Sequence, residues 1–381
     1  MSRSHEGAAT GSSAGVPDVT GSLHRVRRNT PLATVLVPAR NEEARIEACL
    51  RSLRNQSLRD IEIVIADGMS IDATRRLVLQ HVAEDDRIRL VDNPKRITPH
   101  ALNVGLEAAR GEYLVRVDAH STVHRDYVER AVELLRTGPW GGVGGRKVAV
   151  ADTPTGRAIC AALSSRVGVG GSSYHWLQDA QEADHVPFGA YAVSTLRGLG
   201  GWDPNLLVNQ DFELDFRLRR TGLHLLLDPS LEIHWQVPES IHGLARQYFR
   251  YGRGKLQVLR KHPRSAKLRH LAPPLLVLML TSVPALRARG FRRWWVPAVA
   301  YTSLLLAGGT VAARGRSGSG CAVLQIPCAL AAMHVCWGVG FLVELLAQLG
   351  VGRQLGETAM RDYTRKGAAA YSSDRTGRPG A

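Results

Sequence analysis

Residues 111–121 read Gly-Glu-Tyr-Leu-Val-Arg-Val-Asp-Ala-His-Ser and place two possible metal ligands after a β-prone run. The apolar alternation stops at Asp118, so a carboxylate stands where a strand would leave its sheet, and ligands bind beyond the carboxyl ends of parallel strands. His120 offers a second donor atom, and the pair could hold a divalent metal bound to a diphosphate. The alternative is that Asp118 caps a helix beginning near His124 and that His120 is a loop residue.

A second carboxylate with chemical potential is Asp211, at or near the start of a predicted helix whose apolar face includes Phe212 and Phe216. A helix dipole stabilises a carboxylate at this position as the anion, which is the state that a general base needs. Glu213 and Asp215 are rival carboxylates in the same helix. A purely capping role for Asp211 is the other interpretation.

A third group of polar residues lies in a predicted basic helix. The spacing i, i+3, i+4 puts Gln247, Arg250 and Tyr251 on one helical face. Arg250 could bind a diphosphate there, and Tyr251 could stack on an acceptor ring. An amphipathic helix resting on anionic lipid explains Arg253 and Lys255 almost equally well.

The elements that must position these residues alternate regularly in the first half of the chain. Strands are predicted at 33–37, 61–66, 87–91 and in the run before Asp118, and helices at 42–53, 72–82, 99–109 and 125–136. Short connections between alternating strands and helices predict an α/β domain with a mostly parallel sheet and helices on both faces. Residues 138–190 are rich in glycine and are predicted to be loop-like, with a strand only at 147–150.

Polar clusters follow three of these strands, at residues 38–42, 67–72 and 118–120, and should meet at one crevice. No Gly-x-Gly-x-x-Gly follows the first strand, and the chain has no Gly-x4-Gly-Lys-Ser/Thr. The sequence therefore excludes the usual dinucleotide fingerprint and the P-loop while still predicting a nucleotide-binding domain.

The motifs in and around these clusters resemble family-2 glycosyltransferases of the inverting type. They are Val-Pro-Ala-Arg-Asn-Glu-Glu at 37–43, Ile-Ala-Asp-Gly-Met-Ser-Ile-Asp-Ala-Thr at 65–74, and the run at 101–120 that ends in Arg-Val-Asp-Ala-His. The last form is similar to the bacterial enzymes of succinoglycan biosynthesis. The resemblance covers about residues 33–260 and implies a GT-A fold and a nucleotide-diphosphate sugar donor, commonly a UDP-sugar.

By matching positions, the resemblance implies that Pro38, Arg40, Glu42 and Asp67 surround the nucleobase and ribose. It implies that Asp118 faces the ribose and diphosphate together with a divalent metal, Mn²⁺ or Mg²⁺. His120 stands where many relatives have a metal-binding Asp, and histidine suits Mn²⁺ better than Mg²⁺.

The resemblance also gives the remaining site residues their roles. Asp211 matches the base position, which takes the proton from the acceptor hydroxyl as its oxygen attacks the anomeric carbon. Gln247, Arg250 and Tyr251 match a Gln-x-x-Arg-Trp segment, with Tyr251 in place of Trp.

The net charge of +15 is concentrated in the C-terminal third, where residues 250–381 hold 20 Lys/Arg and 4 Asp/Glu. The same third carries the long apolar stretches, and basic residues flanking apolar segments are typical of the cytoplasmic side of a membrane. This distribution argues against nucleic-acid binding by the soluble part.

These patterns predict a disordered tail at 1–30, a glycosyltransferase domain at 31–260, a membrane region at 261–350 and a basic cytoplasmic tail at 351–381. Within the membrane region, 271–286 is expected to be interfacial or re-entrant, and 294–313 and 321–347 to span. We therefore expect a transferase at the cell membrane whose catalytic domain is cytoplasmic and acts on a lipid-linked saccharide. A polyprenyl-phosphate sugar transferase and a non-catalytic nucleotide-sugar-binding subunit of an export complex are the alternatives.

Overall fold

The structure, a computed structural model, describes residues 30–314 and 320–351. The two predicted tails lie outside this part of the chain except for Thr30 and Val351.

Four parallel strands form one half of a nine-stranded sheet in the order β3-β2-β1-β4. They and the helices that connect them are β1 (Ala33–Ala39), α1 (Ile46–Arg54), β2 (Ile61–Asp67), α2 (Thr74–Glu84), β3 (Ile88–Asp92), α3 (Thr98–Ala108) and β4 (Tyr113–Arg116). The predicted α/β alternation is confirmed. Helix α1 begins four residues later than predicted, because Asn41 has a left-handed backbone conformation and a turn precedes the helix.

The other half of the sheet is mixed and continues in the order β8-β6-β9-β5, with β7 beside β9. Strands β6 and β9 are parallel to each other, and the remaining pairs are antiparallel. The elements are β5 (Ser121–Val123), α4 (Tyr127–Thr137), β6 (Trp140–Val150), α5 (Pro154–Leu163), α6 (Arg166–Val169), β7 (Gln181–Glu182), β8 (Ala190–Ala192), α7 (Val193–Gly198), α8 (Gln210–Arg219), β9 (His224–Gln236) and α9 (Ile241–Lys261).

The glycine-rich run at 141–145, predicted as loop, is the first half of strand β6. Its glycines are needed for close packing, since a Cβ at Gly145 would lie 1.8 Å from the carbonyl oxygen of Leu231 and one at Gly142 would lie 2.6 Å from the ring of Tyr191. The loop prediction was wrong because glycine here serves close approach within a sheet.

The sheet buries an apolar layer on each face because alternate residues of each strand point to opposite sides. In β1, Val35 and Val37 join the layer beneath α1 and α4, and Leu36 joins the layer beneath α3 and α8.

Three apolar helices end the described chain: α10 (Ala272–Ala288), α11 (Val296–Ala313) and α12 (Gly320–Gln348). Three helical segments are long and apolar enough to cross a membrane: Leu268–Ala288, which comprises α10 and the four residues before it, Val296–Ala313 and Leu324–Gln348. The interval predicted as interfacial is thus one continuous helix, with Pro284 inside it. Large apolar side chains are exposed along α10 and α11, among them Leu275 and Leu304.

Helix α12 packs against the α/β domain through α9. A Cβ at Gly252 would lie 1.9 Å from the carbonyl oxygen of Trp337, and one at Gly340 would lie 2.0 Å from that of Phe249, so the two glycines let the helix backbones touch. Beside this crossing, Arg253 donates to the Glu344 carboxylate from Nε at 2.9 Å and approaches it from Nη2 at 2.8 Å. Glu344 therefore holds the apolar helix against the domain.

Removing one partner of this buried pair should destabilise the protein. Glu344→Ala leaves the Arg253 charge buried, and we expect a loss of about 3–5 kcal/mol in the free energy of unfolding, measured by denaturation of the full chain in detergent. Replacing both charges, with Arg253→Met and Glu344→Leu, should recover most of that loss. A double variant no more stable than Glu344→Ala would contradict this explanation.

Candidate active site

The ends of β1, β2 and β4 bring the three polar clusters to one edge of the sheet. Ala39 pairs in register with Asp67, and the Gly68 N–H donates to the Ala39 carbonyl at 2.7 Å. The third cluster joins through side chains, since His120 Nδ1 lies 3.1 Å from Glu42 Oε1. Burial acts to lower the pKa of His120, but the Glu42 carboxylate overcomes this and raises it above its usual value.

Asp67 is buried at the end of β2 and shapes the loop that follows it. Its carboxylate accepts hydrogen bonds from the Ser70 hydroxyl at 2.6 Å and from Arg75 Nη1 at 3.1 Å. The loop is also tied to the first cluster, because Asn41 Oδ1 accepts the Ile71 N–H at 3.0 Å. The structure thus places Asp67 at the predicted crevice, where its oxygens fix the loop conformation.

Arg40 follows β1 and packs directly over Gly68, where a Cβ would lie 3.0 Å from its side chain. Its Nη1 donates to the Arg96 carbonyl at 3.0 Å. Its Nε is buried and has no hydrogen-bond partner among residues 30–314 and 320–351. A buried donor without a partner favours an acceptor supplied by a ligand. Pro38, two residues earlier and near the end of β1, is partly buried.

The centre of the site is Arg116, the last residue of β4, which is only 4% exposed. Its guanidinium donates to Asp118 through Nε at 2.9 Å and Nη2 at 3.2 Å, and through Nη1 to Asp211. Burial disfavours the charged guanidinium, yet the two carboxylates raise the pKa of Arg116 above its usual value. One buried cation therefore holds together the two carboxylates that were singled out from the sequence.

Asp211 lies in the first turn of α8, as predicted, and is oriented from a second side. Its Oδ1 accepts the Trp202 Nε1–H at 2.9 Å. Trp202 is fixed in turn by Asn103 on α3, which donates to the Trp202 carbonyl at 2.7 Å and accepts its N–H at 2.8 Å. The preceding Gly201 has φ of 70°, and a Cβ there would lie 2.4 Å from Asn103 Oδ1. Hydrogen bonds thus orient both carboxylate oxygens of Asp211, and its side chain remains partly exposed to solvent.

The rival carboxylates of α8 are fully buried and paired. Glu213 accepts from Arg217 and is in ion-pair contact with Lys261. Asp215 accepts from the Tyr191 hydroxyl at 2.8 Å and from a backbone N–H. Asp211 differs from both because its side chain is 20% exposed and lines a cavity.

Lys147 on β6 is a functional candidate that the sequence interpretation missed. Its Nζ lies 3.6 Å from the ring centroid of Trp235 and 4.9 Å from that of Phe188. Burial lowers the pKa of Lys147 to about 8, against the opposite effect of Asp118 and Asp211. The only sequence signal was a lysine at the start of the predicted strand 147–150, which is otherwise apolar. This amine is a cation that can neutralise developing negative charge in the cavity.

The cavity has a volume of about 950 Å³ and is lined by Arg116, Asp118, Lys147 and Asp211, and by Gln247, Arg250 and Tyr251 of α9. The predicted helical face is therefore turned into the same space as the two carboxylates. Gln247 Oε1 is buried there without a hydrogen-bond partner in the described chain. Burial raises the pKa of Tyr251 to about 12, so its hydroxyl remains a donor.

The donor set for a divalent metal is incomplete without a substrate. Across residues 30–314 and 320–351, no three His, Cys, Asp or Glu side chains converge in a way that could hold a metal. Asp118 lines the cavity while both of its oxygens accept from Arg116, and His120 is engaged with Glu42. Such a set fits a metal that takes most of its ligands from a diphosphate and water, and it does not fit a preformed metal cage.

Comparison with known proteins agrees with this geometry. Residues 34–160 match the sequence model of the family described as "Glycosyl transferase family 2". The chain is 32% identical over 323 residues to the succinoglycan biosynthesis protein ExoA of Rhizobium meliloti (strain 1021), a match that covers 82% of this chain and 94% of that protein. The chain belongs to glycosyltransferase family 2.

A second relative of this family-2 glycosyltransferase is a protein of Methanococcus voltae. Its name is dolichyl N-acetyl-alpha-D-glucosaminyl phosphate 3-beta-D-2,3-diacetamido-2,3-dideoxy-beta-D-glucuronosyltransferase. It is 26% identical over 238 residues, covering 60% of this chain and 74% of that protein.

Among solved structures, the mannosyltransferase PcManGT from Pyrobaculum calidifontis, in complex with GDP-Man and Mn²⁺, matches with a TM-score of 0.52 at 21% identity. The match covers 84% of this chain and 88% of that chain. The GT-A-like fold predicted from the sequence is confirmed.

The charge of Lys147 should be visible in the pH dependence of sugar transfer by this glycosyltransferase. The amine is a cation below its pKa of about 8 and neutral above it, so kcat/KM should fall as the pH rises through 8. Lys147→Arg stays charged in this range and should retain a flat profile, while Lys147→Met should be weak at every pH. A parallel decline in wild type and Lys147→Arg would assign the loss to another group.

Proposed function

We propose that this glycosyltransferase inverts configuration and moves a sugar from a nucleoside-diphosphate donor, commonly a UDP-sugar, to a lipid-linked saccharide in polysaccharide biosynthesis. The observation that carries the proposal is one cavity containing Asp118 and Asp211, joined by Arg116, that extends to α10 and α12. The relative named for succinoglycan biosynthesis supports the polysaccharide role.

The donor occupies the crevice at the ends of β1 and β2. Pro38, Arg40, Glu42 and Asp67 surround its nucleobase and ribose, and the buried, unpartnered Nε of Arg40 supports a ligand at this position. The diphosphate extends from there toward Asp118. Lys147 and Arg250 line the same cavity and supply positive charge to the phosphates.

A divalent metal, Mn²⁺ or Mg²⁺, would be held by Asp118 and the donor diphosphate, with His120 as a further candidate ligand once it leaves Glu42. When bound, the metal neutralises negative charge on the leaving diphosphate. The Mn²⁺ in the PcManGT complex supports a metal for this chain.

Asp211 acts as the general base. Its Oδ2 is held by Arg116 and its Oδ1 by Trp202, which leaves a lone pair on the carboxylate for the acceptor hydroxyl. As the acceptor oxygen bonds to the anomeric carbon, its proton passes to Asp211. The bond from that carbon to the diphosphate breaks, and the nucleoside diphosphate leaves with the electron pair. Attack from the face opposite the leaving group inverts the anomeric centre.

The acceptor approaches from the membrane side of the cavity, where α10 and α12 contribute Pro273, Met333 and Trp337. Holding the catalytic domain at the membrane raises the effective concentration of a lipid-borne acceptor. The Methanococcus voltae relative, named for a sugar attached to dolichyl phosphate, supports a lipid-linked saccharide over the lipid phosphate alone.

The proposed topology places the catalytic domain at the cytoplasmic face of the plasma membrane. Helices α11 and α12 span, and α10 lies in the interface. The four arginines of residues 287–293 and the six Lys/Arg after residue 350 then face the cytoplasm. The contact between Glu344 and α9 supports this arrangement, since it keeps the end of α12 beside the catalytic domain.

Asp211→Asn should abolish transfer, with a loss of at least ~10²–10⁴-fold in kcat, because the amide cannot take the acceptor proton. Donor binding should change little, since Asp211 faces the acceptor. Purified full-length protein, screened with nucleotide sugars in Mn²⁺ and in Mg²⁺, provides the assay. Asp86→Asn, an exposed carboxylate on the turn before β3, is the matched control. Retained turnover in Asp211→Asn would remove Asp211 from the role of base.

A reporter fused after Ala381 tests the topology. Green fluorescent protein at this position should fluoresce, and alkaline phosphatase should be inactive, because both report a cytoplasmic end. An active phosphatase fusion would instead indicate that all three apolar helices span.

A further inference from the structure

Beside the carboxylates, the cavity contains a separate cationic wall formed by Lys255 on α9 together with Arg269 and His270, which precede α10. The wall is built around one ring. Lys255 Nζ lies 3.2 Å from the ring centroid of Phe212, and the His270 ring packs edge-on against the same ring at 6.3 Å. Phe212 directly follows the proposed base, so the wall adjoins the reaction centre.

Lys255 is a buried amine without an ion-pair partner among the described residues. Lys255 is 7% exposed. No carboxylate in residues 30–314 or 320–351 lies within ion-pair distance of its amine. Burial and the charges of Arg269 and Lys267 lower the pKa of Lys255 to about 7. A protein that retains such a charge normally supplies or binds a counter-charge.

The nearby carboxylate does not provide that counter-charge. Asp184 is already in ion-pair contact with Lys267 and, at 3.2 Å, with Arg219. Arg269 has no ion-pair partner in the described part of the chain, and it packs over Gly171, where a Cβ would lie 2.9 Å from its Nη1. The wall therefore contains two basic groups, Lys255 and Arg269, that have no ion-pair partner among residues 30–314 and 320–351.

His270 adds a directed donor to these charges. Its Nδ1 accepts the backbone N–H of Lys267 at 3.2 Å, so a neutral ring carries its proton on Nε2. An ammonium, a guanidinium and an imidazole N–H together match the several oxygen atoms and the multiple charge of a phosphate or diphosphate.

The position of the wall indicates what carries the phosphate. Directly after His270 the chain enters α10, whose first residues, Ala272 and Pro273, still line the cavity. Leu271 and Leu275, at 46% and 58% exposed, then present an apolar surface outward. A charged pocket at the base of an exposed apolar helix suits a ligand with an anionic head and an apolar chain.

We propose that Lys255, Arg269 and His270 bind the phosphate group through which the acceptor is attached to its lipid. This inference rests on the proposed function, and it adds a binding site distinct from the donor crevice at Arg40 and Asp118. Binding of the lipid phosphate beside Phe212 places the attached saccharide next to Asp211.

Direct binding measurements test this site without relying on transfer. Farnesyl diphosphate, a short lipid diphosphate, is titrated into the full chain in detergent by calorimetry, with farnesol as the probe that lacks phosphate. Excess UDP or GDP in the calorimeter cell keeps the donor crevice occupied during the titration. Farnesyl diphosphate should bind under these conditions, and farnesol should bind at least tenfold more weakly.

Substitutions assign the binding to the wall. Lys255→Gln should weaken farnesyl diphosphate binding at least tenfold, and Lys255→Arg should stay within threefold of wild type. Arg269→Gln, at an exposed position where folding is not at risk, should weaken it severalfold. Arg260→Gln removes one exposed charge from the same helix outside the cavity and should have no effect.

Measuring nucleotide affinity in the same variants shows whether the wall binds the phosphate of the lipid or the diphosphate of the donor. UDP and GDP affinity should be unchanged in Lys255→Gln and in Arg269→Gln. A parallel loss of nucleotide affinity, displacement of farnesyl diphosphate by nucleotide, or equal binding of farnesol would overturn the assignment. Transfer by Asp211→Asn tests the general base, and farnesyl diphosphate binding tests the wall. Either proposal can therefore fail while the other holds.

Discussion

The buried guanidinium of Arg116 is the interaction on which the site depends. Asp118 follows β4, and Asp211 lies in the first turn of α8. Without a shared cation, two carboxylates in one cavity would repel each other in a medium that screens charge poorly. Arg116 suits this role because its planar guanidinium donates from three separate nitrogens, two to Asp118 and one to Asp211, and remains charged when buried. The ion pair costs desolvation, so its value lies in fixing the relative position of two loops more than in stability.

Helix α9 connects that chemistry to the apolar helices. One face of α9 turns Gln247, Tyr251 and Lys255 into the cavity. Its neighbouring face carries Gly252 and Arg253, which contact α12. A rigid helix with two such faces fixes the distance between the reaction centre and the membrane helices, and this fits a reaction in which the acceptor stays on its lipid.

The success of the sequence interpretation followed from local rules. The order of strands and helices and the three polar clusters were predictable because apolar periodicity and turn residues act over a few positions. The failures have a physical pattern as well. The glycines of β6 were interpreted as loop because their function is close approach to Leu231 and Tyr191, which belong to distant parts of the chain. The roles of Lys147 and Trp202 were not predictable from their sequence neighbours, since those roles come from Asp118, Asp211 and Asn103.

The sequence by itself determined the α/β class, the family resemblance, the apolar C-terminal helices and the positions of Asp118 and Asp211. Only the tertiary structure decided which carboxylate of α8 faces the cavity, because burial and pairing of Glu213 and Asp215 depend on Lys261, Tyr191 and other residues brought in from elsewhere. It likewise decided that Arg116 joins the two acids. A side chain's chemistry is set by the charges and the solvent around it, and those are fixed by long-range packing rather than by sequence neighbours.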